Sequence, residues 1–141
     1  MKQARAKEVP LISITVEGEP CPKARPRFGQ GRTYTPAKTK RAELLLGWEA
    51  LRQMKQGLDE GRSRFWMTAH FYCSRAWGPD TDNLVKLVMD ALSPRRYSRR
   101  PAGPGLIWKN DRQVVCVYAE RHDGSSKPRT EIEIGRTARL T

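Results

Sequence analysis

Apolar residues recur along this chain with two different periods, and the order of the periods limits the folds that it can adopt. Four segments have the alternating or dense apolar composition of strands, namely residues 11–16, 65–73, 114–119 and 129–134. Two segments have helical spacing: residues 37 to about 55, and a helix that opens at Asp80 or Asp82 and ends before Pro94. The resulting order β-α-β-α-β-β predicts an α+β domain, with a mixed β-sheet packed by two helices.

The same patterns predict which side chains form the core. In the first helix we expect an apolar side made of Leu44, Leu45, Trp48 and Leu51. The second helix carries a longer stripe, consisting of Leu84, Leu87, Val88, Ala91 and Leu92. The nearly continuous apolar run at residues 114–119 predicts a central strand of the sheet. Residues 20–36 and 94–109 are rich in Pro, Gly and basic residues, which is typical of loops.

A chain of 141 residues is expected to form one domain. We place that domain at residues 10–135, after a flexible N-terminus at residues 1–9 and before a C-terminal tail at residues 136–141. The sequence contains no apolar run long enough to span a bilayer and no signal-peptide core, which favours a cytoplasmic location. Three widely spaced cysteines do not fit a zinc site, and we expect Cys73 and Cys116 to be buried thiols.

The charge of the chain points to a polyanionic partner. It contains 27 Lys and Arg against 15 Asp and Glu, a formal net charge of +12, which favours nucleic acid. Residues 22–41 contain seven basic residues and no acidic one, with Phe28 and Tyr34 interleaved where they could stack on bases. A second basic group lies at residues 95–100. The alternative is a solvated basic surface without a dedicated partner.

Three acidic residues stand out in this basic chain: Asp80, Asp82 and Asp111. Carboxylates that lie close together repel one another unless they share a proton or a cation, and oxygen ligands of this type suit Mg²⁺. If the strand after Asp111 lies beside the 65–73 strand, Asp111 can reach the same point as the other two. Lys86 lies one helical turn after Asp82, where it could stabilise charge on a phosphate. The alternatives are a helix cap, a surface pair between Asp82 and Lys86, and a turn residue at Asp111.

Four short motifs occur in an order that resembles a known family. They are Lys23-Ala-Arg-Pro-Arg27, Tyr34-Thr-Pro36, Asp80-Thr-Asp-Asn-Leu-Val-Lys86 and Asn110-Asp-Arg-Gln-Val114. Each is weak alone, but the ordered set resembles the RusA family of Holliday junction resolvases over roughly residues 10–134. The family often has an Asp pair where this chain has Asn110 and Asp111, and its version of the 94–109 loop is shorter and less basic.

The resemblance implies an endodeoxyribonuclease of bacterial or phage origin that acts in DNA recombination and repair. It implies a homodimer that binds four-way DNA junctions and places paired symmetric nicks, with Mg²⁺ as cofactor and Mn²⁺ as a possible substitute. By motif position it assigns metal binding and catalysis to Asp80, Asp82 and Asp111, and a catalytic role to Lys86. It assigns DNA contacts to Lys23, Arg25 and Arg27.

Two further functions compete with a junction resolvase. One is a non-catalytic basic module that binds nucleic acid and whose aspartates are caps and salt-bridge partners. The other is a nuclease of the same chemistry that acts on other branched DNA. Convergence of the three carboxylates on one point would separate the binding module from the nucleases.

Overall fold

The computed structural model describes residues 10–25, 27–34, 36–53, 63–93, 107–108 and 110–137. Three expectations lie outside these ranges: the flexible residues 1–9, the basic group at residues 95–100, and most of the tail at residues 136–141. Within them, no helix is both long enough and apolar enough to cross a membrane.

The described residues form a four-stranded mixed sheet, a small hairpin and two helices. In order, the elements are β1 (Ile12–Glu17), β2 (Arg27–Gly29), β3 (Arg32–Tyr34), α1 (Ala37–Gln53), β4 (Phe65–Tyr72), α2 (Thr81–Leu92), β5 (Val114–His122) and β6 (Arg129–Arg136). The main sheet has the strand order β1-β6-β4-β5. Strands β4 and β5 are parallel, while β6 is antiparallel to both of its neighbours. The predicted α+β class and mixed sheet with two helices are confirmed.

Helix α2 is the crossover between the two parallel strands. The chain leaves β4 at its carboxyl end, returns through α2, and enters β5 at its amino end. All five residues of the predicted stripe in α2 are buried, as the 3.6-residue period requires. On β4 every second residue from Phe65 to Phe71 is buried with them in the same core.

Trp108 anchors the end of the long segment between α2 and β5. The side chain is fully buried, and its ring centroid lies 6.1 Å from that of Phe65. Its indole N–H donates a hydrogen bond to Ser93 Oγ at 2.8 Å, directly after α2. The preceding residue, Ile107, is also fully buried. This part of the predicted 94–109 loop therefore belongs to the core.

The buried face of α1 differs from the predicted one. The side that packs inward consists of Thr39, Glu43, Leu46, Gly47 and Ala50. Leu45, Trp48 and Leu51, which we expected in the core, are 51%, 52% and 42% exposed. Small residues on the inner side allow a close approach to the neighbouring elements, and Glu43 is held there by an ion pair. A prediction based on the size of apolar side chains alone therefore places the wrong face of α1 in the core.

Strand β5 lies at the edge of the sheet, so the predicted central position is wrong. Val115 and Val117 are 53% and 42% exposed. An apolar run is expected for a strand covered on both faces, but it does not distinguish such a strand from an edge strand. Of the two cysteines predicted to be buried, Cys73 is buried and Cys116 is half-buried.

Part of the predicted loop at residues 20–36 forms the β2–β3 hairpin. Its two turn residues, Gln30 and Gly31, have φ values of 52° and 78°. Positive φ at both central residues is the geometry of a type I′ turn, which matches the twist of the flanking strands. The hairpin displays the ring of Phe28, which is 77% exposed.

Candidate active site and DNA-binding surface

Asp80 occupies the N-cap position of α2, but its side chain makes no capping hydrogen bond. The carboxylate is exposed beside the positive end of the helix. Asp80 therefore does not cap the helix with its side chain, and its carboxylate oxygens remain available to a ligand.

The loop that carries Asp80 is tied to the carboxyl end of β5. Arg121 donates a hydrogen bond to the Pro79 carbonyl at 2.6 Å and pairs with Asp123 at 2.9 Å. Asp123 in turn accepts a hydrogen bond from the Gly78 N–H at 3.2 Å. A Cβ at Gly78 would lie only 2.7 Å from the Asp123 carboxylate, so a larger residue would displace the Asp123 or Arg121 side chain. These contacts fix the position at which α2 begins.

Asp82 and Lys86 lie on successive turns at the start of α2, and both side chains are exposed. One oxygen of Asp82 accepts a hydrogen bond from the Asn83 N–H at 2.9 Å. The ion pairs found among the described residues do not include one between Asp82 and Lys86. The alternative of a simple surface pair is therefore not supported.

Asp111 lies in a single 3-10 turn, Asp111–Gln113, immediately before β5. Asn110 holds this turn, because its side chain accepts a hydrogen bond from the Arg112 N–H at 2.9 Å and its own N–H donates to Gln113 at 3.1 Å. The Gln113 amide also donates to the Ser63 carbonyl at 2.9 Å. Asn110 is thus committed to the turn, whereas the Asp111 carboxylate is exposed.

The parallel pairing of β4 and β5 separates Asp111 from the other two aspartates. Asp80 is held near Arg121, at the carboxyl end of β5, whereas Asp111 precedes its amino end. Seven residues of strand separate Val114 from Arg121, a distance of roughly 20 Å at about 3.3 Å per residue. The expectation that Asp111 reaches the same point within one chain is therefore wrong. The expectation correctly placed β4 beside β5, but it did not take into account that the two strands run parallel.

Lys23 is much less exposed than Arg25, another of the predicted DNA contacts. Only 14% of its side chain is exposed, and its ammonium lies 2.5 Å from Glu43 Oε1 and 3.1 Å from Asp90 Oδ2. Its backbone N–H donates to the Asn83 carbonyl at 2.9 Å. Burial acts to lower the pKa of Lys23, but the hydrogen bonds to Glu43 and Asp90 outweigh it, and the pKa is raised. This geometry argues against a direct contact between Lys23 and a phosphate.

Five other basic residues of the 22–41 segment are presented to solvent. Arg25, Arg32, Lys38, Lys40 and Arg41 are all exposed. The side chain of Arg27 lies outside the part of the chain that the structure describes. Exposed cations and exposed aromatic rings such as Phe28 are the groups that contact nucleic-acid backbones and bases.

A second group of potential metal ligands was missed by sequence analysis. Among the described residues, the one set of three whose ligand atoms lie within 4.8 Å of one another is His70, Glu120 and His122. The three aspartates do not form such a set. The predicted strand ended at residue 119, so Glu120 and His122 lay outside it. Had the strand been extended, the alternation of Tyr118, Glu120 and His122 would have placed them on one face.

Comparison with known proteins gives one finding for the chain as a whole. The family model described as endodeoxyribonuclease RusA matches residues 17–135. No curated protein matches the chain. The match covers every described element from the end of β1 to β6, and with them all the aspartates discussed above.

Proposed function

The chain belongs to the RusA family of endodeoxyribonucleases, and from this premise we propose that it resolves four-way DNA junctions by paired, Mg²⁺-dependent nicks. One observation carries the proposal. Two exposed aspartates begin α2 without serving as its cap, and a basic residue follows them one turn later. A non-catalytic module would have no need of unpaired carboxylates on a surface that must receive phosphates.

The donor chemistry of these residues fits magnesium. Mg²⁺ takes hard oxygen ligands, binds directly to one or two carboxylates, and retains several of its waters. Asp80 and Asp82 supply such oxygens from the start of one helix. When bound, the ion would activate a water for attack on the phosphodiester and offset the added negative charge of the transition state.

Lys86 supports the same chemistry from the next turn of α2. Its exposed ammonium has no ion-pair partner among the described residues, so it can approach a phosphate oxygen. A fixed positive charge there stabilises charge that develops in the transition state. Lys86 would act as lysines and arginines do when they bind a phosphoryl group, and this does not require contact between Lys86 and the metal.

The position of Asp111 leads us to propose a homodimer with shared active sites. A ligand roughly 20 Å from Asp80 along β5 cannot serve the same metal within one chain. In a C2 dimer every contact between the two copies occurs twice, once in each direction. Asp111 of each chain could thereby complete the site begun by Asp80 and Asp82 of the other. Two equivalent sites would match the two equivalent strands of a four-way junction.

The exposed side of α1 supports such an assembly. Leu45, Trp48 and Leu51 form an apolar stripe that the described residues leave largely uncovered. Exposed apolar patches of this kind commonly mark protein–protein interfaces. We propose this stripe as part of the contact between the two copies.

Mixing two inactive variants tests the shared site. If Asp82 and Asp111 serve the same metal from different chains, a heterodimer of Asp82→Asn and Asp111→Asn chains contains one doubly altered site and one intact site. With free exchange about half of the dimers are mixed, so nicking should return, with one strand cut per binding event. A gel assay on junctions labelled in each strand measures this.

The same mixture gives the opposite result if each site belongs to one chain. Every site in the heterodimer then lacks a ligand, and the mixture stays as inactive as its components. The matched control mixes Asp80→Asn with Asp82→Asn, which must remain inactive under either arrangement of the dimer.

The substrate is tested on synthetic DNA. The protein should nick four-way junctions in symmetric pairs with Mg²⁺, and should not do so in EDTA. Equal cleavage of three-way or flapped DNA would favour the broader branched-DNA nuclease, and cleavage of linear duplex would show that the enzyme lacks structure selectivity.

Arg25 allows a separate test of the DNA-binding surface. If Arg25 contacts a phosphate, Arg25→Ala should lower the slope of log K against log salt concentration by about 0.9 for each contact, or nearly two in a dimer. Binding is measured in EDTA, so that cleavage does not interfere. Arg52→Ala, which removes an exposed arginine in the last turn of α1, is the charge-matched control. Equal slopes for both variants would mean that Arg25 contributes only to the general positive charge.

A further inference from the structure

His70, Glu120 and His122 lie together on the sheet face that does not carry the core. Strands β4 and β5 pair in parallel, with His70 opposite Glu120 and Tyr72 opposite His122. Side chains two residues apart on a strand share a face, so all three project to the same side. The buried residues Ala69 and Phe71 project to the other side. The three side chains are 30%, 39% and 36% exposed, which leaves them accessible to an ion from solvent.

The distances within this trio are those of ligands around one metal ion. His70 Nδ1 lies 3.0 Å from His122 Nε2, and Glu120 Oε2 lies 3.7 Å and 3.5 Å from the same two nitrogens. The circle through three atoms at these separations has a radius of about 2.0 Å, so one point lies at that distance from all three. Zinc binds histidine nitrogens and carboxylate oxygens at about 2.0–2.2 Å.

Neighbouring side chains hold the ligands in this orientation. The Tyr118 hydroxyl donates a hydrogen bond to Glu120 Oε1, which leaves Oε2 directed toward the histidines. Tyr72 stacks on the His122 ring, with centroids 4.5 Å apart and planes 14° apart. The guanidinium of Arg129 lies 3.8 Å from the centroid of the Tyr72 ring on the adjacent strand. Such outer contacts are what fix ligand geometry in metal sites.

We propose that His70, Glu120 and His122 bind a transition-metal ion, with Zn²⁺ as the expected occupant, at a site separate from the aspartates that serve catalysis. Two imidazoles and one carboxylate suit zinc and its neighbours in the first transition row, and do not suit Mg²⁺. Three protein ligands leave at least one position for water or for a group from another molecule. The ion would join the edge strand β5 to β4. This inference does not depend on the proposed nuclease function.

A cobalt titration tests the site. Co²⁺ reports its own coordination through visible absorption, and the full chain is used without a histidine tag, because both histidines of the sequence lie in the trio. One Co²⁺ should bind per chain, and an equimolar amount of Zn²⁺ should displace it. Zn²⁺ should also raise the Tm of the parent chain.

Four variants decide the assignment. His122→Gln and Glu120→Gln should each weaken metal binding by more than about 100-fold, since even the loss of an outer-shell partner costs 10- to 100-fold. Glu133→Gln removes a carboxylate from the neighbouring strand β6 and should bind as the parent does. Asp82→Asn should also bind Co²⁺ normally.

Two results would overturn the proposal. A parent chain that shows neither Co²⁺ absorption nor a Zn²⁺-dependent Tm would leave the trio as a hydrogen-bonded histidine pair beside a glutamate. Binding that survives in both His122→Gln and Glu120→Gln but disappears in Asp82→Asn would assign the ion to the aspartates.

Discussion

Replacing Asp82 with Asn is expected to lower the rate of junction cleavage by about 10³-fold or more while leaving junction binding intact. The change removes one negative charge and one metal ligand, and several kcal/mol of lost transition-state stabilisation correspond to that factor. The amide keeps the size of the side chain and an oxygen that can accept the Asn83 N–H. Single-turnover cleavage with enzyme in excess measures the chemical step, and binding is measured in EDTA.

The control for Asp82→Asn is a carboxylate of the same charge on another part of the surface. Glu133→Gln changes an exposed residue of β6 that we place outside the catalytic site, so it should cleave at the parent rate. Binding of the junction by Asp82→Asn is expected to be as tight as that of the parent or tighter, because the altered surface repels phosphates less. A variant that still nicks near the parent rate would leave Asp82 as a helix-start residue and would remove the main support for the catalytic assignment.

Replacing Lys23 with Met is expected to destabilise the fold by about 3–5 kcal/mol, the usual cost of removing one partner from a buried ion pair. Glu43 has only 1% of its side chain exposed, so its charge has little access to water once Lys23 is gone. Urea or guanidinium unfolding followed by circular dichroism gives the change in free energy of unfolding.

Two further chains separate a structural role of Lys23 from a DNA contact. Arg25 lies two residues from Lys23 and is exposed. Arg25→Ala should therefore change the free energy of unfolding by no more than about 0.5 kcal/mol. A triple variant with Lys23→Met, Glu43→Gln and Asp90→Asn removes all three charges and should recover much of the lost stability. If Lys23→Met were as stable as the parent but bound DNA more weakly, Lys23 would be a phosphate contact after all.

The same ion pairs give the stability a defined pH dependence. Because folding raises the pKa of Lys23 above its ordinary value of 10.5, its contribution is fully present below that pH. It is lost as the pH rises through the higher pKa of the folded state. Lys23→Met should therefore lack this alkaline loss of stability.

The periodicity of apolar residues was enough to predict elements in which those residues recur regularly and form one buried face. The stripe from Leu84 to Leu92 was found because each member contributes to one buried face of α2. The face of α1 was not found, because all of its inner residues except Leu46 are small or polar, and only tertiary contacts identify them as buried. An amphipathic pattern shows on which side of a helix the bulky apolar groups lie. It does not show whether the core or an interface with another copy covers that side.

The sequence named candidate residues for the site, but it did not give their arrangement. The order of the motifs located Asp80, Asp82, Lys86 and Asp111, but residue order does not encode whether two strands run in the same direction. Strand direction depends on the crossover through α2, which is a property of the whole sheet. The trio around His70 was missed for a related reason, since its members meet only through the register of β4 and β5.

The bond between Trp108 and Ser93 closes the long segment that joins α2 to β5. Because Trp108 is fully buried in the core, the two ends of that segment are fixed independently of how many residues lie between them. Each doubling of a loop's length costs only about 0.6 kcal/mol in closure entropy. A change in the length or charge of this segment should therefore leave α2 and the turn at Asp111 in place.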